Sequence, residues 1–194
     1  GFNQLPAGLT YQNYNREKTK LQAIFGKEGA GLDDNISAIF DPAVRWGDLE
    51  EMVVFVREEL GLPVLVKGVL DPRDVVRAKQ IGCCGVVLSN HGGRQCGIAS
   101  SPLQMLAECV AAAKSEPGRD YFSVTMDGGV RSGGDVFKAV ALGADGVWIG
   151  RPVFYGLAVA AEEGVLRVLS LFRKEFERTA VLCGCATLED IRAL

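Results

Sequence analysis

The chain's single histidine lies in "VVLSNHGGRQ", Val86 to Gln95, where an apolar run gives way to Ser89, Asn90, His91, two glycines and Arg94. An imidazole can take a proton from a carbon or a hydroxyl near neutral pH. A guanidinium three residues later presents a fork that grips a carboxylate. If both face one small molecule, His91 and Arg94 spell proton abstraction from an acid. A lone histidine is more often a hydrogen-bonded structural residue. Here its place at a strand end, before a Gly-Gly that clears space beside it, favours the base.

A second group of residues suits an anion. "DGGVRSGGD" puts Asp127, Gly128 and Gly129 after an apolar run, then Arg131, then a second glycine pair at the start of a helix. Glycines let a backbone approach an anion closely, and a helix N-terminus offers unpaired N–H groups. "IGRP" adds Gly150 and Arg151. Either cluster alone could make only tight turns; together, with an arginine each, they read as a phosphate site. Lys67 ends another apolar run and has two readings. It pairs with a carboxylate such as Asp127, or its fixed charge stabilises negative charge developing on a cofactor.

Four strand–helix units must position these side chains. "LPVLVKGV" precedes the helical "DPRDVVRAKQIG", and "CGVVLSN" precedes "SPLQMLAECVAAAK", with Ser101 as N-cap and Pro102 at N1. "YFSVTMDGG" leads to "SGGDVFKAVALG", and "ADGVWIGRP" to the long "EEGVLRVLSLFRKEFERTAVL". Such alternation means a parallel α/β sheet, doubly wound or closed into a (β/α)8 barrel. "GCCGVV" and "GADGVW" share G-x-x-G-V, so one helix-to-strand turn is used twice, as in a barrel of repeated units. Lys67, Ser89, His91, Asp127 and Gly150 all follow strands, the face that carries the active site in such barrels. Upstream, "GFNQLPAGLTYQNY" and "GKEGAGLDDN" read as loops, and "DPAVRWGDLEEMVVFVREELG" as a helix stopped by Gly61.

The totals exclude other classes. With 194 residues and a net charge of -3, the chain has the size of one domain and no basic field for nucleic acid. No apolar run approaches a membrane span. Six cysteines include no C-x-x-C pair, and one histidine writes no ordinary zinc ligand set, so no metal is expected and the thiols read as reduced and mostly buried. An intracellular location follows. Gly1 is not an initiator methionine, which suggests a fragment.

"LPVLVKGVL", "LSNHGGRQ", "MDGGVRSGGDVFKAVALGADGVWIGRP" and "LCGCATLEDI" closely resemble the FMN-dependent α-hydroxy-acid oxidases and dehydrogenases, the family of glycolate oxidase, lactate oxidase and flavocytochrome b2. The resemblance runs through the chain and implies the C-terminal half, about four βα units, of a (β/α)8 TIM barrel. Residues 1–60 would be the loop region and helix following the family's fourth strand, and 61–194 the last four units. It further implies FMN, a small (S)-2-hydroxy acid substrate oxidised to a 2-oxo acid, and a homo-oligomer in the full-length form. By position, Lys67 matches the lysine at the flavin ring, Ser89 a ring contact, His91 the catalytic base and Arg94 the carboxylate binder. Asp127, Gly128, Gly129 and Arg131 match the segment at the ribityl chain and phosphate, and Gly150 with Arg151 completes the clamp. Two departures stand out. Gly97 occupies a position where the family has aspartate, and the four earlier strands are not matched. The rival expectation is a non-catalytic FMN- or phosphate-binding half-barrel, or a truncated inactive fragment.

Overall fold

The structure, a computed structural model, describes residues 43–115 and 121–194. The chain divides into two units, Gly1–Asp48 and Leu49–Leu194, and only residues 43–48 of the first are described. The two segments read as loops, at 1–14 and 26–35, lie outside the described residues. Helix α1 is Trp46–Glu59, its start capped by the Arg45 N–H donating to Asp48 Oδ2 at 2.7 Å. Gly61 ends it with a φ of 64°, a conformation that favours glycine.

Four parallel strands follow: β1 (Leu65–Val69), β2 (Gly85–Leu88), β3 (Ser123–Met126) and β4 (Gly146–Val147). They pair in sequential order, β1-β2-β3-β4. A doubly wound sheet reverses its strand order at a switch point, whereas a barrel segment does not. Helices α2 (Pro72–Gln80) and α3 (Pro102–Ser115) connect the first three strands, and α4 (Gly133–Ala141) connects β3 to β4. Beyond β4 come α5 (Arg151–Leu182) and α6 (Leu188–Arg192).

Side chains alternate across each strand. Val86, Leu88, Val124 and Met126 are buried on the face the helices cover, together with Val75, Ala78, Leu106 and Cys109. That burial pushes the Cys109 thiol up to about 11, so it is a core residue and not a nucleophile. Cys83 and Cys185 are buried as well, but Cys96 and Cys183 are exposed, so burial is less general than expected. The opposite strand face carries Lys67, Val87 and Thr125, in register across the sheet, with Ser89 and Asp127 just beyond the ends of β2 and β3.

The repeated turn is present. Gly82 and Gly143 both have positive φ, 90° and 97°. The Cys83 N–H reaches the Ala78 carbonyl at 3.0 Å and the Ala144 N–H the Ala139 carbonyl at 2.9 Å, the same closure after α2 and α4. Ser101 caps α3 as expected, accepting from the Gln104 N–H at 3.3 Å while Gln104 Oε1 accepts from the Ser101 N–H. The long helix α5 departs from expectation. It begins at Arg151, not Glu162, and breaks at Ala160 and Ala161, where φ reaches 46°. The break folds its first arm back so that Gly156 and Gly164 meet backbone to backbone, with no room for a Cβ on either.

Candidate functional site

Lys67 stands beside a bulge: β1 pairs regularly through Lys67, then slips before Val69, with Gly68 at φ 99°. Its ammonium lies 3.0 Å from Asp127 Oδ2 and donates to Ser89 Oγ at 2.9 Å. The Ser89 hydroxyl donates to Asp127 Oδ1 and accepts the His91 N–H at 3.0 Å. Three successive strand ends are thus tied through one buried hydroxyl. Of the two readings of Lys67, the ion pair with Asp127 is present, and it leaves the lysine side chain 48% exposed beside the cavity described next.

Except for Ser89, every residue singled out as a site candidate lines one cavity of about 220 Å³. Lys67, His91, Arg94 and Asp127 lie along it, with Gly128, Gly129, Arg131, Gly150 and Arg151. Ser89 lines a second cavity of about 390 Å³, which also borders Lys67 and His91. Four cations face one carboxylate in the first cavity, a local excess of positive charge in a chain of net charge -3. Gly128 and Gly129 have φ of 89° and 79°, and a Cβ on Gly129 or Gly150 would meet nothing within 4 Å. Open backbone beside Arg131 and Arg151 fits a phosphate.

One part of the expected anion site is otherwise used. At the start of α4 the Ser132, Gly133 and Asp135 N–H groups are already taken. The Arg131 and Ser132 N–H groups donate to Asp135 Oδ2, at 3.0 and 3.1 Å, and the Gly133 N–H donates to Glu175 Oε2 at 2.8 Å. Burial pushes the Asp135 carboxyl up, but the Arg131 N–H, the Ser132 hydroxyl and Lys138 outweigh it and hold the carboxyl below its ordinary value. Gly133 is glycine because the backbone of α5 at Phe172 and Phe176 lies against it. The first glycine pair faces the cavity and the second packs a helix.

His91 opens a single 3-10 turn, His91–Gly93, in which all three residues have positive φ, 55°, 65° and 75°. Arg94 follows it, and among the described residues no carboxylate pairs with its guanidinium. Gly97, where an aspartate was expected by resemblance, lies in the exposed stretch that includes Ile98 at 96% exposure.

Sequence reasoning missed three contributors. Trp148 and Phe154 add an aromatic wall to the cavity, and the Trp148 indole donates to Thr125 Oγ1 at 3.0 Å. Trp148 is two residues from Gly146 in the last strand, so the period-2 alternation was the available signal. Asn90 Oδ1 is buried with no hydrogen-bond partner among the described residues, 2.9 Å from where a Cβ on Gly128 would stand. Nothing in the local sequence announces that contact.

Against known proteins, the FMN-dependent dehydrogenase family matches residues 2–194. The chain is 44% identical over 164 residues to a peroxisomal (S)-2-hydroxyacid oxidase of Arabidopsis thaliana, covering 84% of this chain and 43% of that protein. It is 42% identical over 187 residues to glycolate oxidase of Spinacia oleracea, covering 96% and 48%. Among solved structures, mandelate oxidase with (S)-4-hydroxymandelic acid superposes with a TM-score of 0.72 at 42% identity, over 82% of this chain and 42% of that one. The chain spans about half the length of the curated relatives it matches. The four-stranded sheet is part of a (β/α)8 barrel.

Proposed function

The chain belongs to the FMN-dependent dehydrogenase family, and from that premise we propose that it carries the catalytic and phosphate-holding face of an (S)-2-hydroxy-acid oxidase or dehydrogenase, working in a complete barrel. The observation that carries this reading is the convergence of His91, Arg94, Lys67 and the Gly128–Gly129 and Gly150–Arg151 segments on one cavity. FMN, the cofactor of the family, supplies the chemistry a protein side chain lacks: it takes up two electrons together with one proton.

This chain's residues do the rest. The Arg94 guanidinium holds the substrate carboxylate in a fork and so fixes the carbon that bears the hydroxyl. The His91 imidazole accepts one of the two protons the substrate loses on becoming a 2-oxo acid. Lys67, steadied by Asp127 at 3.0 Å, presents a fixed positive charge at the flavin ring, and Ser89 contacts the same ring. Asp127, Gly128, Gly129 and Arg131 hold the ribityl chain and phosphate, with Gly150 and Arg151 closing on the phosphate. Residues 1–60 are assigned to the loop region and helix after the fourth strand of the barrel, and 61–194 to the last four units. A homo-oligomer in the full-length form and an intracellular location complete the reading.

A second reading, a cofactor-binding half without turnover, is favoured by Gly97, which leaves the loop beyond Arg94 without a carboxylate. One experiment separates the two. The purified chain is incubated with FMN and desalted, its absorbance is recorded, and glycolate or lactate is added without oxygen. Retained flavin that bleaches, and that no longer bleaches after His91→Ala, supports catalysis. Retained flavin that stays oxidised supports the cofactor-binding half. Bleaching unchanged by His91→Ala removes the base assignment, and absence of retained flavin removes the second reading, a half that binds the cofactor by itself.

A further inference from the structure

We infer that Arg151, besides facing the phosphate end of the cavity, is a positioning residue that holds His91 in place through the carbonyl of Gly92. The inference rests on the reading of His91 as the base. His91 has a φ of 55°, in the left-handed region that a residue with a Cβ seldom occupies, and Gly92 and Gly93 continue the same turn. A conformation of that kind persists only where its surroundings over-determine it.

The ties within the turn are short-range. The Gly93 N–H donates to the Asn90 carbonyl at 3.0 Å, the Arg94 N–H to the His91 carbonyl at 3.3 Å, and the His91 N–H to Ser89 Oγ at 3.0 Å. Among the described residues, one direct bond comes from a distant element. Arg151 Nη2 donates to the Gly92 carbonyl at 3.0 Å, across 59 residues of sequence. Nη2 also lies 2.9 Å from where a Cβ on Gly92 would stand, so a side chain there would push the guanidinium aside, and the φ of 65° by itself favours glycine. Arg151 is the first residue of α5 and is rooted in a helix. A guanidinium has five donors; one bond to Gly92 leaves others for the cavity. The imidazole therefore takes its place from the last βα unit as well as from its own strand.

The test is amide hydrogen exchange on the unliganded full chain, with the imidazole signals of its only histidine recorded by NMR. Arg151→Gln is expected to speed exchange at Gly93 and Arg94 by about tenfold, as loss of one charge-assisted hydrogen bond implies, and to shift and broaden the His91 signals. Exchange within α3 and the far-ultraviolet circular dichroism stay as they were. Arg131→Gln, which removes a cation from the same cavity without touching Gly92, leaves both readouts unchanged. If Arg151→Gln disrupts folding, Arg151→Lys keeps the charge and aliphatic stem but loses the fork, and shows the same change to a smaller extent. Exchange and His91 signals unaltered in a folded Arg151 variant, or altered equally by Arg131→Gln, overturn the inference. Because the measurement uses unliganded protein, loss of the base assignment in the flavin experiment would leave this result standing by itself.

Discussion

Ser89 is 2% exposed, and its one hydroxyl is fully used: it donates to Asp127 and accepts from Lys67 Nζ and the His91 N–H. Ser89→Ala would leave the His91 N–H without its partner and remove one contact each from the two charged groups. The expected cost is about 2 kcal/mol, since groups stripped of a buried partner lose more than the bond was worth. A urea titration would show it as a lower midpoint with an unchanged slope, and a midpoint equal to wild type would mean that water replaces the hydroxyl at no cost. The Lys67–Asp127 pair adds less than its 3.0 Å suggests, because the lysine is half exposed. At this scale the sequence was informative wherever a polar residue ends an apolar run, because a parallel sheet sends all its strand ends to one face. It was silent on contacts made by folding alone. Gly92 with Arg151 and Asn90 with Gly128 join residues of different βα units, and no local pattern encodes them.

Helix junctions divide the two glycines of "SGGD" sharply. A Cβ on Gly133 would run into the Phe172 carbonyl and the Phe176 amide, backbone atoms that cannot rotate away. Gly133→Ala should therefore cost more than about 3 kcal/mol by prising α4 from α5. Gly134→Ala would find only Ser132 Oγ at 3.6 Å and Thr179 Oγ1 at 4.0 Å, ordinary contacts. It should stabilise by about 0.5 kcal/mol, as alanine does over glycine in a helix. Thermal melts of the two variants should move in opposite directions, and a matched loss in both would show that α4 and α5 are not so closely apposed. The caps add a pH dependence. The Arg73 side chain, with its backbone N–H, holds the Asp71 carboxyl at the start of α2 down to about 2, from an ordinary 3.8. A carboxyl depressed in the folded state contributes stability that is fully present above its unfolded value and is withdrawn as pH falls through the folded one. Asp71→Asn should thus flatten acid unfolding, followed by circular dichroism, between about pH 4 and 2; an unchanged acid limb would exclude the cap. Strands and helix starts were legible because their signals are local: Ser101 before Pro102, Gly82 and Gly143 after their helices. The N-terminus of α4 was misread because its donors are filled by Asp135 and by Glu175, a residue 42 positions away. The early start of α5 was missed because only Trp148, Ile149 and Gly150 separate it from β4, and no side chain caps it.

The sheet ends at β1 on one side and at β4 on the other, and no further strand pairs with either among the described residues. Unpaired edges invite pairing with another chain, and exposed apolar side chains add to the drive. Leu65 on β1, Trp148 just beyond β4, and Phe154, Tyr155, Leu157 and Val159 on the first arm of α5 are all exposed, Val159 at 86%. The half-barrel was legible from the rhythm of four strand–helix units, and so was this consequence, because side chains that fill a closed barrel must face water when half of it stands alone. What the sequence did not reveal is that the exposure extends to α5, since its first arm was not recognised as helix. The isolated chain is therefore expected to self-associate, with a mass by light scattering that rises above the monomer as concentration increases. Leu157→Lys with Val159→Lys places two charges on that arm, away from the cavity, and should lower the association at equal concentration while leaving the circular dichroism unchanged. A wild-type chain that remains monomeric across the concentration range would mean that these edges and apolar side chains are held apart in solution. Association that the double lysine variant leaves untouched would instead place the contact at the sheet edges, where backbone groups rather than the α5 side chains make the bond.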